Sequence, residues 1–250
     1  MMKKTAAKSD TAFHIGHRER LRQKFLDDKI TDYEFLELLL SFAIPRRDVR
    51  PLARGLLQKY SGLHQICSLP LDTLMEYPGM GRNTAIFLKA LRHAMLAEYR
   101  EHLDKRQIYR SVPVLTNYCL TLLGGKDIEE FHVLYLDNEY KMLLDETHSV
   151  GTIDWSAVYP REIARRALNL NARSIVMLHN HPTAGVPFSS QDIKITTLIQ
   201  DMLAPFDIEL YDHFLVSGGQ VSSARNSQLL NRSKIIPAQN SQNPEPDYQK

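Results

Sequence analysis

Apolar residues recur every three or four positions through the first hundred residues, and at every second position or in short runs thereafter. Leu21 and Phe25, then Phe35, Leu38, Leu39 and Phe42, each mark one face of a helix, over residues 18–25 and 33–42. Pro45 stops the second helix and the basic pair Arg46-Arg47 follows. A third helix is expected over 49–60, with Gly62 just beyond it, and a short helical piece over 69–76. The tight turn Tyr77-Pro78-Gly79-Met80-Gly81 leads into a long helix over 82–103, so this half reads as all α.

The texture changes after about residue 108. Residues 114–123, after Pro113 and before Gly124-Gly125, read as one more helix. Residues 131–136 and 142–150 read as strands around the turn Asp137-Asn138. A helix is expected over 159–170, a buried strand over 174–178, a helix over 189–203, and a hairpin of 208–217 with 220–223 about Gly218-Gly219. The Asn-, Gln-, Pro- and Ser-rich segment 233–250 reads as a disordered tail. The charged segment 98–110 is the expected junction between the halves.

Charge adds an asymmetry to this division. The net charge is only +2, but residues 1–110 hold 20 Lys/Arg against 13 Asp/Glu, and residues 111–250 hold 11 against 16. A basic half beside an acidic half fits a polyanion meeting the first and not the second. The balance of 43% hydrophobic and 24% charged residues is that of a globular protein. No apolar run approaches the roughly 18–20 residues that span a bilayer. The basic N-terminus lacks an apolar stretch after it, so no signal peptide is expected. Cys67 and Cys119 are isolated, which fits a reducing, cytoplasmic setting and no disulfide framework.

The chemistry concentrates in residues 174–192. His179 and His181 lie two apart at the end of an apolar strand, so both imidazoles leave the same face. Two neighbouring imidazoles suit Zn²⁺, and Asp192 would supply a third ligand, leaving one position open for water. A metal there lowers the pKa of bound water to around 7. Ser189 is placed to donate a hydrogen bond to a developing oxyanion. A His-x-His pair alone is common, and Ser189 to Asp192 also fits a capping box that needs no metal. The whole pattern, His-x-His, seven residues, Ser, two residues, Asp, is far more restrictive. TIM-barrel amidohydrolases also use His-x-His, but a barrel needs about 250 residues, more than this half offers.

The spacing resembles the signature of the JAMM (JAB/MPN+) metalloproteases. Ser149-Val150-Gly151-Thr152-Ile153-Asp154, Tyr159-Pro160-Arg161-Glu162, Arg166-Ala167-Leu168, Asn171-Ala172, His179-Asn180-His181-Pro182 and Asp212-His213-Phe214-Leu215-Val216 together resemble the bacterial RadC proteins. The resemblance runs from about residue 108 to 223. Thr183-Ala184-Gly185 departs from the Ser-Gly-Asp usual in that family, outside the ligands. The resemblance implies one Zn²⁺ per chain and a metallopeptidase or isopeptidase activity of unknown substrate. It also implies a glutamate base at the start of a strand beside the histidines. Glu130, directly before the apolar strand, resembles that element. Glu162 is the competitor, although an acid at a helix N-terminus often serves only the helix dipole. Glu129, next to Glu130, would point to the opposite face. His132 and His148 are given no role, and His213 either orients a ligand or packs as a structural residue. Trp155 and Ser156 could line the substrate site.

In the first half, Tyr77 to Ala85 resembles a helix-hairpin-helix turn, and RadC proteins carry a helical region of this kind. Gly79 and Gly81 would let the backbone approach a phosphate of DNA, with Arg82 and Lys89 adding charge. Such a contact reads backbone and not sequence. Helix, glycine turn, helix is also simply a way to pack two helices. The expected fold is thus an α+β multidomain protein: an all-α helix-hairpin-helix domain over 14–105, then an α/β JAMM (MPN+) domain over 109–230 with a mixed sheet flanked by helices. The rival to a zinc hydrolase is a DNA-associated repair or recombination factor whose JAMM domain is a scaffold. A two-metal nuclease would need clustered carboxylates, which the sequence does not show.

Overall fold

The computed structural model describes residues 6–60, 62–151 and 160–230, with the side chains of 6–15 and 109 excepted. The expected tail 233–250 and the loop residues Trp155 and Ser156 lie outside the described residues. The chain forms two compact units, Met1–Leu91 and Arg92–Lys250.

The first unit contains α1 (Ala6–Leu26), α2 (Asp32–Ala43), α3 (Arg50–Lys59), α4 (Leu63–Ser68), α5 (Leu71–Met75) and the start of α6 (Arg82–Lys105). Thr31 and Glu34 begin α2 with a reciprocal capping box, an arrangement worth about 1 kcal/mol. Pro51 enters α3 in its first turn, where a missing N–H breaks no helical bond. The core gathers Leu36, Leu40, Leu56, Ile66, Leu74 and Leu88. The sequence pattern did not reveal α4, which has six residues and is too short to show a helical period. The ammonium of Lys89 closes its end, donating to the carbonyls of Cys67, Ser68 and Leu69.

The second unit begins with the remainder of α6 and a 3-10 turn at Ile108–Arg110. There follow α7 (Val112–Leu123), β1 (Glu130–Leu136), β2 (Met142–Val150), α8 (Pro160–Asn169), β3 (Ser174–His181), α9 (Ser190–Leu203), β4 (Glu209–Ser217) and β5 (Gln220–Ser223). The sheet order is β2-β1-β3-β4-β5. The β3–β4 pair is parallel and the other pairs are antiparallel. This is the expected mixed sheet with flanking helices.

Both faces of the sheet are covered, which is why β3 reads as an apolar run up to its histidines. Phe131, Val133, Tyr135, Ile175 and Met177 face α8 and α9, meeting Ile163, Ala167, Ile195 and Ile199. Leu134, Leu136, Val176 and Leu178 face α7 and the end of α6, meeting Leu103, Leu115, Tyr118 and Leu122. Gly218 and Gly219 both take positive φ in the β4–β5 turn, the backbone that a two-residue hairpin favours. Among the described residues, no helix is long and apolar enough to cross a membrane.

Candidate metal centre

β3 continues through His181, so strand alternation carries both imidazoles to the face covered by α8 and α9. The first turn of α9 brings Asp192 to them. Ser189 caps that helix: its hydroxyl accepts the Asp192 N–H at 3.1 Å, and the Asp192 carboxylate accepts the Ser189 N–H at 2.5 Å. Capping and metal binding are therefore not alternatives here. The cap is what aims the carboxylate.

Nε2 of His179 and Nε2 of His181 lie 3.2 Å apart. Oδ1 of Asp192 is 3.3 Å from the first and Oδ2 is 3.3 Å from the second. His179 and Asp192 are fully buried, and His181 is nearly so. Phe188 packs at 5.8 Å from the His179 ring, keeping that side apolar.

The hydrogen bonds behind these atoms fix their protonation. The Thr196 hydroxyl donates its one proton to the Asp192 carbonyl at 2.5 Å. Thr196 Oγ1 must then accept from Nδ1 of His213, 2.7 Å away. That leaves Nε2 of His213 as the acceptor for Nδ1–H of His179, also at 2.7 Å. His179 therefore presents an unprotonated Nε2. His181 does the same, because its Nδ1 lies 3.3 Å from the carbonyl of Val186, which can only accept.

Two nitrogen lone pairs and a carboxylate thus converge with no proton between them. Such a set calls for a cation. A tetrahedral ion with ligands at about 2.0–2.1 Å sets neighbouring ligands about 3.3 Å apart, which matches the separations seen. Among the described residues, these three side chains form the one cluster of this kind.

Electrostatics agree with that protonation. Burial pushes the His179 imidazole below its usual value, against the pull of Asp192. His213 is driven well below its usual value by burial, reinforced by His179. Burial alone would raise the Asp192 carboxyl, but it is lowered overall, and the hydrogen bonds it accepts from Ser189 favour its ionised form. Burial thus favours a neutral His179 beside an ionised Asp192, the forms in which these groups bind metal.

The expected base, Glu130, is not brought to this cluster. Phe131 pairs directly with His179 across β1 and β3, so residue 131 shares the histidines' face and residue 130 takes the other. The Glu130 carboxylate bonds to Nε2 of His132 at 3.1 Å and to Lys126. His132 continues to Asp145 at 3.1 Å, and Asp145 to Tyr118 and Arg100. This is a polar chain on the opposite side of the sheet. The competitor Glu162 is engaged on the surface of α8 by Arg161 and Arg165. The residue on the metal face is Glu129, which is half-buried and whose charge acts on His179. Glu129 and Glu130 thus take opposite faces, as expected, with Glu130 on the face away from the His179 cluster.

Gly79, Gly81 and Arg82 belong to the first unit, where all three are exposed at the start of α6. Gly79 has φ +91°, but Gly81 has an ordinary φ and open space where a Cβ would stand. Only Gly79 therefore depends on being glycine. Lys89, read as added positive charge, is committed to the end of α4.

Comparison with known proteins gives the same direction. The model of the RadC-like JAB domain family matches residues 109–229. A UPF0758 protein of Fusobacterium nucleatum is 37% identical over 225 residues, covering 86% of this chain and 97% of that protein. A UPF0758 protein of Ruegeria pomeroyi is 37% identical over 203 residues, covering 80% of this chain and 91% of its own. JAB domains include JAMM metalloproteases, and the His179, His181 and Asp192 cluster can hold a metal. With relatives this similar along most of its length, the chain belongs to the RadC family.

Proposed function

We propose that this chain is a zinc-dependent hydrolase that cleaves a peptide or isopeptide amide, with His179, His181 and Asp192 holding the metal. The observation that carries the reading is the proton-free donor set, fixed by the Thr196–His213–His179 hydrogen-bond chain. Three protein ligands leave a fourth position open for water, as in catalytic rather than structural zinc sites, so the enzyme reading is favoured over a DNA-associated factor with an inert JAMM domain. When bound, Zn²⁺ would polarise the scissile carbonyl and bring a water toward ionisation at neutral pH.

The rest falls to this chain's side chains. The Glu129 carboxylate takes the proton of the attacking water and passes it to the departing nitrogen as the C–N bond breaks. The Ser189 hydroxyl donates to the oxygen that gains charge. Phe188 shields the buried His179 side of the site.

The test is metal analysis of the purified chain, followed by a screen of peptides and of lysine-isopeptide substrates. About one Zn²⁺ per chain is expected, with none in His179→Ala/His181→Ala. Stoichiometric zinc in that double variant places the metal elsewhere and ends the reading.

A further inference from the structure

Asn180 stands between the two histidines in the chain and projects to the other face of β3. Its side chain is buried, with 2% of the residue exposed, and both ends of its amide are engaged. Oδ1 accepts the N–H of Glu130 at 2.9 Å, and Nδ2 donates to the carbonyl of Ile128 at 3.0 Å. Those two backbone groups flank Glu129. The Glu129 carbonyl in turn accepts the N–H of Gly151 at 2.9 Å.

We propose that Asn180 is a positioning residue, which grips the backbone on both sides of Glu129 and so sets that carboxylate in register with the metal ligands. The inference rests on Glu129 being the base. Its logic is mechanical. Residues 179 and 181 present the ligands on one face, and the residue between them holds the base-bearing segment from the other. Any small shift of β3 then carries ligands and base together. A misplacement of about 1 Å can cost 10²-fold in rate, so a shared anchor matters.

The residue type follows from the two partners. One is a donor and one an acceptor, both close to the strand, and a short primary amide offers an acceptor and a donor at one end. Aspartate would keep the acceptor for Glu130 N–H but oppose its lone pairs to the Ile128 carbonyl. Leucine would serve neither.

The experiment uses the full chain and has two readouts. In the metal-free protein, amide hydrogen exchange at Glu130 should quicken by about tenfold or more in Asn180→Leu, while the amides of Val133 and Met177 keep their protection. Unchanged exchange at Glu130 shows that the clamp does not hold the segment and overturns the proposal. The second readout is the visible spectrum of Co²⁺-loaded protein as a function of pH. Glu129→Gln should displace the spectral midpoint by about half a unit or more, by removing a charge beside the ion. Asn180→Leu should displace it similarly, and the double variant no further than Glu129→Gln alone. Additive displacements would mean that Asn180 acts independently of Glu129, which also overturns the proposal.

The two failures are distinguishable. If Co²⁺ binds but Glu129→Gln moves nothing, the base assignment falls and the proposal with it. If Glu129→Gln moves the midpoint and folded Asn180→Leu does not, only the role of Asn180 falls. Should Asn180→Leu fail to fold, Asn180→Asp carries the spectral test, and its Ile128 contact alone is lost.

Discussion

Nδ1 of His179 lies 2.7 Å from Nε2 of His213, both rings fully buried, and this contact decides which nitrogen of His179 faces Asp192. His213 is itself fixed by Thr196, one helical turn after Asp192 on α9. Ligand and orienting residues thus form a closed loop: Asp192, Thr196, His213, His179 and back to Asp192.

The loop makes a prediction about His213. His213→Leu leaves Nδ1–H of His179 without an acceptor and frees the ring to turn. Metal affinity should weaken about 10–100-fold, measured by competition with a chromophoric chelator. His213→Gln, which retains an acceptor oxygen, should lie nearer the parent. Equal affinity in a folded His213→Leu protein contradicts the tautomer assignment.

Asp192 has two tasks that substitution can separate. Asp192→Asn keeps an oxygen for the Ser189 N–H, so the α9 cap and the melting temperature should change little. The loss of charge should nevertheless empty the metal site. Ser189→Ala has the reverse signature. It removes the cap at a cost of about 1 kcal/mol, keeps the metal, and lowers hydrolysis by about 10²-fold if the hydroxyl serves the oxyanion. Retained zinc in Asp192→Asn would argue against a ligand role for the carboxylate.

The acidic doublet gives a third contrast. Glu129→Gln should keep zinc and lose about 10²-fold or more in hydrolysis. Glu130→Gln should keep most activity, because its carboxylate serves His132 and Lys126 on the far side of the sheet. Steady-state rates on any substrate found by the screen decide between them. A collapse confined to Glu130→Gln would restore the assignment made from sequence.

That assignment shows where the sequence stops being informative. The strands and the covering helices were legible because each carries a local signal within a few residues, a helical period, an alternation or a short apolar run. The triad was legible because its three members lie within fourteen residues on one strand–loop–helix unit. The base was not. Glu129 and Glu130 differ by one position, and the phase of β1 is set by the pairing of Phe131 with His179, nearly fifty residues away. Asn180 and His213 likewise bond to partners far along the chain, Glu130 and His179. Thr196 did leave a local trace, lying four residues after Asp192 on the same helical face.

The last prediction concerns the polar chain under the sheet. His132 lies between Glu130 and Asp145, with Lys126, Tyr118, Arg100 and Thr147 completing the surroundings. Burial alone would lower the His132 imidazole, but hydrogen bonds and charge from Asp145 and Glu130 raise it above its ordinary 6.5. Its contribution to stability is therefore complete below about pH 6.5 and is lost as pH rises through the folded value. Glu130 and Asp145 are opposed by burial yet lowered, first by hydrogen bonding to His132, from 4.5 and 3.8. Their contributions are present above those values and disappear as pH falls through the lower folded ones. The chain should thus stabilise the fold most between about pH 4.5 and 6.5. His148, His179 and His213 are lowered by burial and favour the fold as pH rises, so the raw profile mixes two signs. The informative quantity is the difference between the parent and His132→Gln, taken from denaturant unfolding of chelator-treated protein. That difference should be largest near pH 6 and shrink toward pH 9. A difference independent of pH across that range would show that His132 is not charged in the folded protein.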